Sequence, residues 1–120
     1  MGRTWESWDL PGFVALFSDD VVYVEHPTDE TVVGREAMAH YIRNEQIEQG
    51  VASVRMGKPI VDGDQVAAEF WAKMTNGEVA GTLIGCFIAQ LDPRDGRCTH
   101  FRQYWFDVDG HRSAYRGWGE

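Results

Sequence analysis

One histidine stands where a strand ends, and it is the first candidate for acid–base chemistry. The β-branched and aromatic run Val21–Glu25 predicts a strand, and His26-Pro27 follows it directly. A neutral imidazole, whose pKa lies near neutrality, can remove a proton from the carbon next to a carbonyl group. The alternative is a surface or corner-packing histidine. His26 is therefore a candidate catalytic acid or base.

The register of the last predicted hairpin supplies the second set of candidates. The turn Asp92–Gly96 would pair Leu91 with Arg97, so that Gly85 faces Gln103. Strand alternation then places one set of side chains on the same sheet face: Leu83, Gly85, Phe87, Phe101, Gln103 and Trp105.

This face is apolar and aromatic, with one amide and one missing side chain. Gln103 is therefore a candidate catalytic residue that would orient a substrate, and Phe101 and Trp105 are candidate ligand contacts. A glycine inside a strand often marks the close approach of a ligand or of another backbone, so Gly85 is a further candidate. The alternatives are a core role for the aromatic rings, a backbone partner for Gln103 and a sheet bend at Gly85.

The opposite face of the same hairpin predicts an interface. It carries Ile84, Cys86, Ile88, His100, Arg102 and Tyr104. We expect a homodimer through this face, because its apolar part is too large to be fully solvated on a stable monomer. The same register pairs Cys86 with Arg102 and Cys98 with Gln90, which separates the two thiols too far for an intrachain disulfide.

The preceding hairpin leaves one question open. Asn76-Gly77 is a strong hairpin signal. A two-residue loop places Phe70 on the Gly85 face, whereas a three-residue loop places Glu69 and Trp71 there. The second register would allow a His26–Glu69 pair of proton-transfer groups.

Short helices are predicted to precede the strands. Residues 3–8 are typical of the end of a helix, and Asp9 would cap a second helix that ends at Ser18-Asp19-Asp20. Gly34 opens a longer helix that runs to about Gln46. One face of this helix carries Ala37, Met38, Tyr41, Ile42 and Glu45 at helical spacing.

Long strands account for most of the remaining chain. They are predicted at Val51–Val61, Gln65–Met74, Val79–Leu91 and Arg97–Val108, and the tail to Glu120 is open to a further edge segment. Pro59 requires an edge or a bulge. Helices followed by a meander of strands favour an α+β fold, with helices packed on one face of a mostly antiparallel sheet.

Composition narrows the classes of partner. A chain of 120 residues predicts one domain spanning residues 1–120. Its net charge of −8 disfavours nucleic acid and anionic membranes. No stretch reaches the roughly 18 apolar residues of a membrane helix, so the cytoplasm is the expected location. His100 and His111 have no partner at ligand spacing, and His40 lies off the apolar helix face, so no metal site is expected. The predicted chemistry needs no cofactor.

The order of these features resembles the nuclear transport factor 2-like superfamily. That order is a helix, Asp19-Asp20, a strand, the His26-Pro27 corner, the helix begun by Gly34 and a long-stranded meander. The superfamily includes ketosteroid isomerases, limonene epoxide hydrolases and SnoaL-like polyketide cyclases, and the SnoaL-like proteins are the most similar. The resemblance covers nearly the whole chain. It implies a curved sheet wrapped around helices, a cone with a deep apolar pocket, and frequent homodimers.

The resemblance also implies roles for single residues. The general base of the isomerases falls on His26, and Tyr41 and Ile42 match their pocket positions. The acid that donates to the dienolate oxygen falls on Gly85, so steroid isomerisation by that route is not expected. The Arg-Asp-Tyr run of the epoxide hydrolases corresponds to residues 102–104, where Gln103 replaces the acid. An amide cannot take up a proton, which argues against epoxide opening by that route.

Two functions follow from these patterns. The first is a protein that binds a hydrophobic small molecule and acts on it as a cofactor-independent isomerase, cyclase or hydrolase, with His26 as acid or base. The second is a non-catalytic ligand-binding or dimerisation module that uses the same pocket. The number of proton-transfer groups in the pocket distinguishes them.

Overall fold

The computed structural model describes residues 10–25, 31–46 and 50–119. The predicted helix over residues 3–8, the Asp9 cap and His26 lie outside these residues. The helices are α1 (Leu10–Val14) and α2 (Arg35–Gln46). The strands are β1 (Phe17–Val24), β2 (Val32–Val33), β3 (Gly50–Met56), β4 (Ile60–Asp62), β5 (Gln65–Asn76), β6 (Val79–Leu91) and β7 (Cys98–Asp109).

The first strand begins earlier than the sequence predicts. Ser18-Asp19-Asp20 was expected to end a helix, but these residues belong to β1. Pairing with β7 decides this, because the backbone N–H of Cys98 donates to the carbonyl of Leu16 at 2.9 Å. Phe17 is fully buried, and its ring centroid lies 5.5 Å from that of Phe101. Tertiary packing therefore outweighs local helix preference here.

The helix predicted from Gly34 to Gln46 is confirmed, with Arg35 as its first residue. Gly34 has φ = +98°, which suits glycine, and its N–H donates to the carbonyl of Val21 at 2.8 Å. Met38 and Ile42 are buried and Tyr41 is half-buried. Ala37 was expected on the same face but is exposed.

The strands form one sheet in the order β2-β1-β7-β6-β5-β3, with β4 also paired to β5. Among the described strands only β1 and β7 run parallel, so the expected α+β fold with a mostly antiparallel sheet is confirmed. The single strand expected over Val51–Val61 is divided into β3 and β4. The break contains Pro59, which has no N–H to continue the ladder.

The hairpin between β5 and β6 settles the question left open by the sequence. Asn76 pairs with Val79 and Phe70 pairs with Gly85, so Gly77 and Glu78 form a two-residue loop. Phe70 is 1% exposed and shares the Gly85 face. Glu69 lies on the other face and is exposed, so the three-residue loop, on which the predicted His26–Glu69 pair depended, is wrong.

The hairpin between β6 and β7 has the predicted faces but different partners. Gly85 pairs with Trp105 and Phe87 pairs with Gln103, two residues away from the expected register. The ladder is irregular between Gln90 and Leu91, and Leu91 pairs with Cys98. A shift of two residues preserves alternation, so the set of side chains on each face is unchanged. Cys86 therefore pairs with Tyr104, and both cysteines are free, as expected.

The two faces of the sheet are covered by different segments. We call the face that carries Phe70, Phe87 and Phe101 the inner face. It packs against α2 in one hydrophobic core that includes Phe17, Val21, Tyr23, Met38, Ile42, Phe70, Phe87 and Phe101. We call the opposite face, which carries Trp71 and Thr82, the outer face.

Residues 110–118 cross the outer face, and we call them the C-terminal strap. They form no strand, although an edge segment was open for this tail. The Thr82 hydroxyl, fully buried, donates to the carbonyl of Gly110 at 2.7 Å and accepts from the N–H of Arg112 at 2.8 Å. Trp118 is 4% exposed, with its ring centroid 6.2 Å from that of Trp71.

Candidate functional site

Pairing of β5, β6 and β7 arranges the inner face in rows of three residues. The rows are Val66–Ala89–Phe101, Ala68–Phe87–Gln103, Phe70–Gly85–Trp105 and Ala72–Leu83–Asp107. Neighbouring rows are two residues apart, or about 6.6 Å along a strand. Because β1 pairs with β7 on the other side, Tyr23 adjoins Phe101 at the first row.

The first rows are closed by aromatic packing. The ring of Phe101 is stacked on Tyr23 at 5.3 Å and on Phe87 at 5.4 Å between centroids. Phe101 is 4% exposed and Ile42 is 5% exposed. Tyr41 is half-buried, with its ring 6.3 Å from that of Tyr23. Of these predicted ligand contacts, Tyr41 retains the most accessible surface, while Phe101 and Ile42 belong to the core.

The next rows are more open and hold the polar candidates. Gln103 and Trp105 are both half-buried on the inner face. The indole Nε1–H of Trp105 donates to the backbone carbonyl of Glu25 at 3.1 Å. His26 is bonded to that carbonyl carbon in the chain. Trp105 therefore fixes the end of β1 from which the predicted catalytic residue follows.

Gln103 has a side-chain amide that is available for a ligand. Within residues 10–25, 31–46 and 50–119, no hydrogen bond of this amide is formed, so a backbone partner is not found there. An amide can donate to a carbonyl oxygen and accept from a hydroxyl group. The site can thus orient a polar atom on an otherwise apolar molecule.

The close approach of β7 explains why position 85 is a glycine. A Cβ atom on Gly85 would lie 2.7 Å from the Cβ of Trp105 and would also collide with the carbonyl oxygen of Tyr104. The expected opening between Gly85 and Gln103 is therefore wrong, because Trp105 and not Gln103 lies opposite. A direct contact between Gly85 and a ligand stays a prediction.

Asp107 is a further polar residue of this face, beyond the predicted candidates. It pairs with Leu83, is exposed, and lines a cavity of about 200 Å³. The other lining residues are Met74, Thr75, Val79, Gly81, Thr82 and Leu83. The alternation of Phe101, Gln103 and Trp105 continues to Asp107 within the predicted strand, so this signal was present in the sequence.

The Cys98 thiol is not a candidate for a further reactive centre. Burial raises the pKa of the Cys98 thiol to about 11, so it is protonated and a poor nucleophile at neutral pH. In the part of the chain that the structure describes, no three His, Cys, Asp or Glu side chains are grouped to hold a metal ion. No described helix has the length and apolarity that a membrane-crossing helix requires.

Comparisons with known proteins agree with this architecture. Residues 2–110 match the SnoaL-like domain family. No curated protein matches the sequence. A crystal structure of a Mycobacterium tuberculosis protein superimposes with a TM-score of 0.78 at 20% identity, covering 90% of this chain and 89% of that one.

Two further solved structures carry names that refer to enzymes. A LEH-like epoxide hydrolase from M. tuberculosis superimposes with a TM-score of 0.73 at 25% identity, over 87% of this chain and 75% of that one. SalBIII is an epoxide hydrolase/cyclase-like enzyme of pyran ring formation in polyether salinomycin. It superimposes with a TM-score of 0.75 at 20% identity, over 89% of this chain and 88% of that one. The family match shows that this chain belongs to the SnoaL-like domain family, and the solved structures show that it has the nuclear transport factor 2-like cone fold.

Proposed function

We propose that the protein binds a hydrophobic small molecule against its inner face and acts on it without a cofactor, as an isomerase, cyclase or hydrolase with His26 as acid or base. The observation that carries the proposal is the 3.1 Å hydrogen bond from Trp105 to Glu25. It joins the backbone that leads into His26 to the row next to Gln103. An acid–base group and an orienting amide would then act on one bound molecule.

The chemistry follows from the two side chains. The neutral imidazole of His26 would take a proton from the carbon next to a substrate carbonyl. The amide N–H of Gln103 would donate to the carbonyl oxygen, where negative charge develops. Gln103 cannot take up a proton itself, so His26 must carry proton transfer in this scheme.

The names of the solved relatives support the same classes of reaction. The second of the two M. tuberculosis structures is described as a LEH-like epoxide hydrolase, and SalBIII as epoxide hydrolase/cyclase-like. Gln103 stands where the epoxide hydrolase pattern has an acid, so epoxide opening with an acid at that position is disfavoured. Isomerisation or cyclisation of a carbonyl compound fits this inner face better.

The ligand part of the proposal is tested by a thermal-shift screen of steroids, polyketides and terpenoids, followed by titration of the best ligand. Gln103→Leu should raise its Kd by about 5- to 150-fold, the loss expected when a ligand polar group loses its partner. Gln65→Leu is the matched control, because Gln65 is exposed and lies on the outer face. Equal affinity in the two variants would contradict the inner-face site.

The catalytic part is tested on the same ligand and its carbonyl analogues. His26→Ala should abolish turnover while ligand binding is retained, because the proposed proton-transfer group is lost. His100→Ala, an exposed histidine, is the control and should keep full activity. If His26→Ala turns over substrate as fast as the wild type, the non-catalytic ligand-binding or dimerisation module becomes the better function.

A further inference from the structure

The cavity beside the β5–β6 hairpin combines apolar walls with a single charged side chain. Met74 and Leu83 line it from the inner face, and Asp107 is the ionisable residue among its lining residues. Its volume is about 200 Å³, which suits a small group rather than a whole polycyclic molecule. Leu83 lies between Ala72 and Asp107 in the same row. A ligand whose apolar part packs against Leu83 would therefore lie next to the carboxylate of Asp107.

The charge of Asp107 is not neutralised by the residues that surround it. No hydrogen bond or ion pair of its carboxylate is formed within the described parts of the chain. Its neighbours on the inner face are Leu83, Trp105 and Asp109, of which the last adds a second negative charge. The nearby Lys73 lies on the outer face, where its Nζ is 3.5 Å from Ser113 Oγ.

The carboxylate, which is unpaired among the described residues, and the apolar walls determine which charge a bound group should carry. An anion would be repelled by the Asp107 carboxylate, and a neutral hydroxyl would exchange one hydrogen bond with water for one with Asp107. An alkylammonium group gains both a charge-assisted hydrogen bond and favourable Coulomb energy, while its carbon chain covers Met74 and Leu83. The cavity is therefore complementary to a protonated amine on an apolar chain.

We propose that this cavity is a subsite for the protonated amino group of an otherwise hydrophobic ligand, with Asp107 as its acceptor. The row of Asp107 is four residues from that of Gln103, or about 13 Å along the strand. A ligand that reaches both side chains therefore carries its amine about 13 Å from the group that Gln103 orients. The inference rests on the proposed function only in placing the body of the ligand on the inner face.

The test uses the full chain and three probes of equal chain length: hexylammonium, hexanol and hexanoate. Titrations are followed by NMR through the methyl signals of Met74 and Leu83. Hexylammonium should shift these signals and bind about 3- to 10-fold more tightly than hexanol, and hexanoate should bind most weakly. Added salt should reduce the difference between hexylammonium and hexanol.

Asp107→Asn should remove the preference for hexylammonium and leave hexanol binding unchanged. Asp64→Asn is the matched control, because Asp64 is an exposed carboxylate in the turn between β4 and β5. The subsite is refuted if hexylammonium binds no better than hexanol, if Asp107→Asn changes nothing, or if the Met74 and Leu83 signals do not move.

The two proposals fail in different ways. A carbonyl ligand whose affinity depends on Gln103 but whose amine analogue gains nothing from Asp107 would refute the subsite alone. Hexylammonium binding that depends on Asp107, combined with a ligand screen in which Gln103→Leu has no effect, would refute the proposed function and support the subsite.

Discussion

On the outer face of the sheet Thr82 is fully buried and both donates and accepts a hydrogen bond, whereas on the inner face Gln103 and Asp107 have no such partner among the described residues. The difference follows from burial. A hydroxyl that is removed from water must be paired by the protein, and the C-terminal strap supplies both partners. Gln103 is half-buried and Asp107 is exposed, so water can satisfy them until a ligand does.

The two faces also differ in how they are covered. The inner face is covered by α2, which lies inside the family match over residues 2–110. The outer face is covered by the strap, most of which follows that match. The inner face thus belongs to the shared fold, while this part of the outer face is closed by a segment that mostly follows the family match.

The inner face should be most sensitive to a substitution at Gly85. Gly85→Ala would place a Cβ 2.7 Å from the Cβ of Trp105 and in collision with the Tyr104 carbonyl, so β7 must move. We expect the free energy of unfolding to fall by about 3 kcal/mol, the upper range for an overpacked site. Chemical denaturation measures it. Ligand binding that depends on Gln103 should weaken as well, because Trp105 lies in the next row of the inner face.

Gly81→Ala is the control in the same strand and on the same face. A Cβ there would lie 3.6 Å from the carbonyl oxygen of Val108, an ordinary contact. Its free energy of unfolding should change by less than about 0.5 kcal/mol. Equal losses in both variants would mean that strand glycines in general, and not the approach of Trp105, determine stability.

The same hairpin shows how far the sequence predicts this site. Which side chains share a face depends only on strand alternation, so Gln103 and Trp105 were placed on the inner face even though the pairing was wrong by two residues. The pairing itself depends on the irregularity near Leu91, which no local pattern signals. Hence the inner face was predictable, but the contact between Gly85 and Trp105 was not.

The strap was not predictable for a related reason. Its contacts join residues far apart in sequence, such as Thr82 with Gly110 and Trp71 with Trp118. Residues 111–119 contain no strand or helix pattern that would reveal where they pack. The early start of β1 is a similar case, because Leu16 and Phe17 join the sheet only through Cys98.

Trp118 anchors the C-terminal strap to the outer face. Trp118 is 4% exposed, and the guanidinium carbon of Arg55 lies 5.1 Å from its ring centroid. Trp118→Ala should lower the free energy of unfolding by about 2–4 kcal/mol, since a large buried ring is lost. Ligand binding on the inner face should be unchanged, because Trp118 packs against Trp71 on the outer face.

Tyr115→Ala is the control for the strap. Tyr115 is 70% exposed, so its loss should cost less than about 0.5 kcal/mol. If Trp118→Ala weakened binding that depends on Gln103, the two faces would be coupled through the sheet and could not be treated as independent.

The smallest expected effect is a difference in thiol reactivity between the two cysteines, which lie on opposite sides of the sheet. It involves no change in stability. Cys98 is 3% exposed, and burial raises the pKa of its thiol to about 11. Cys86 lies on the outer face and is half-buried. A thiol reagent at pH 8 should therefore modify Cys86 while Cys98 reacts only after unfolding, which peptide mass spectrometry can distinguish.

The same reaction tests the predicted homodimer. Cys86 shares the outer face with Ile84, Ile88 and Tyr104, and Tyr104 is 46% exposed. If two copies associate through this face, modification of Cys86 should slow as the protein concentration rises, in step with the mass measured by light scattering. Phe106→Lys would place a charge on a neighbouring side chain that is 58% exposed, and it should restore both the monomer and fast modification. A monomer at micromolar concentration, with Cys86 reacting at a constant rate, would refute the homodimer, and the outer face would then be closed by the strap alone.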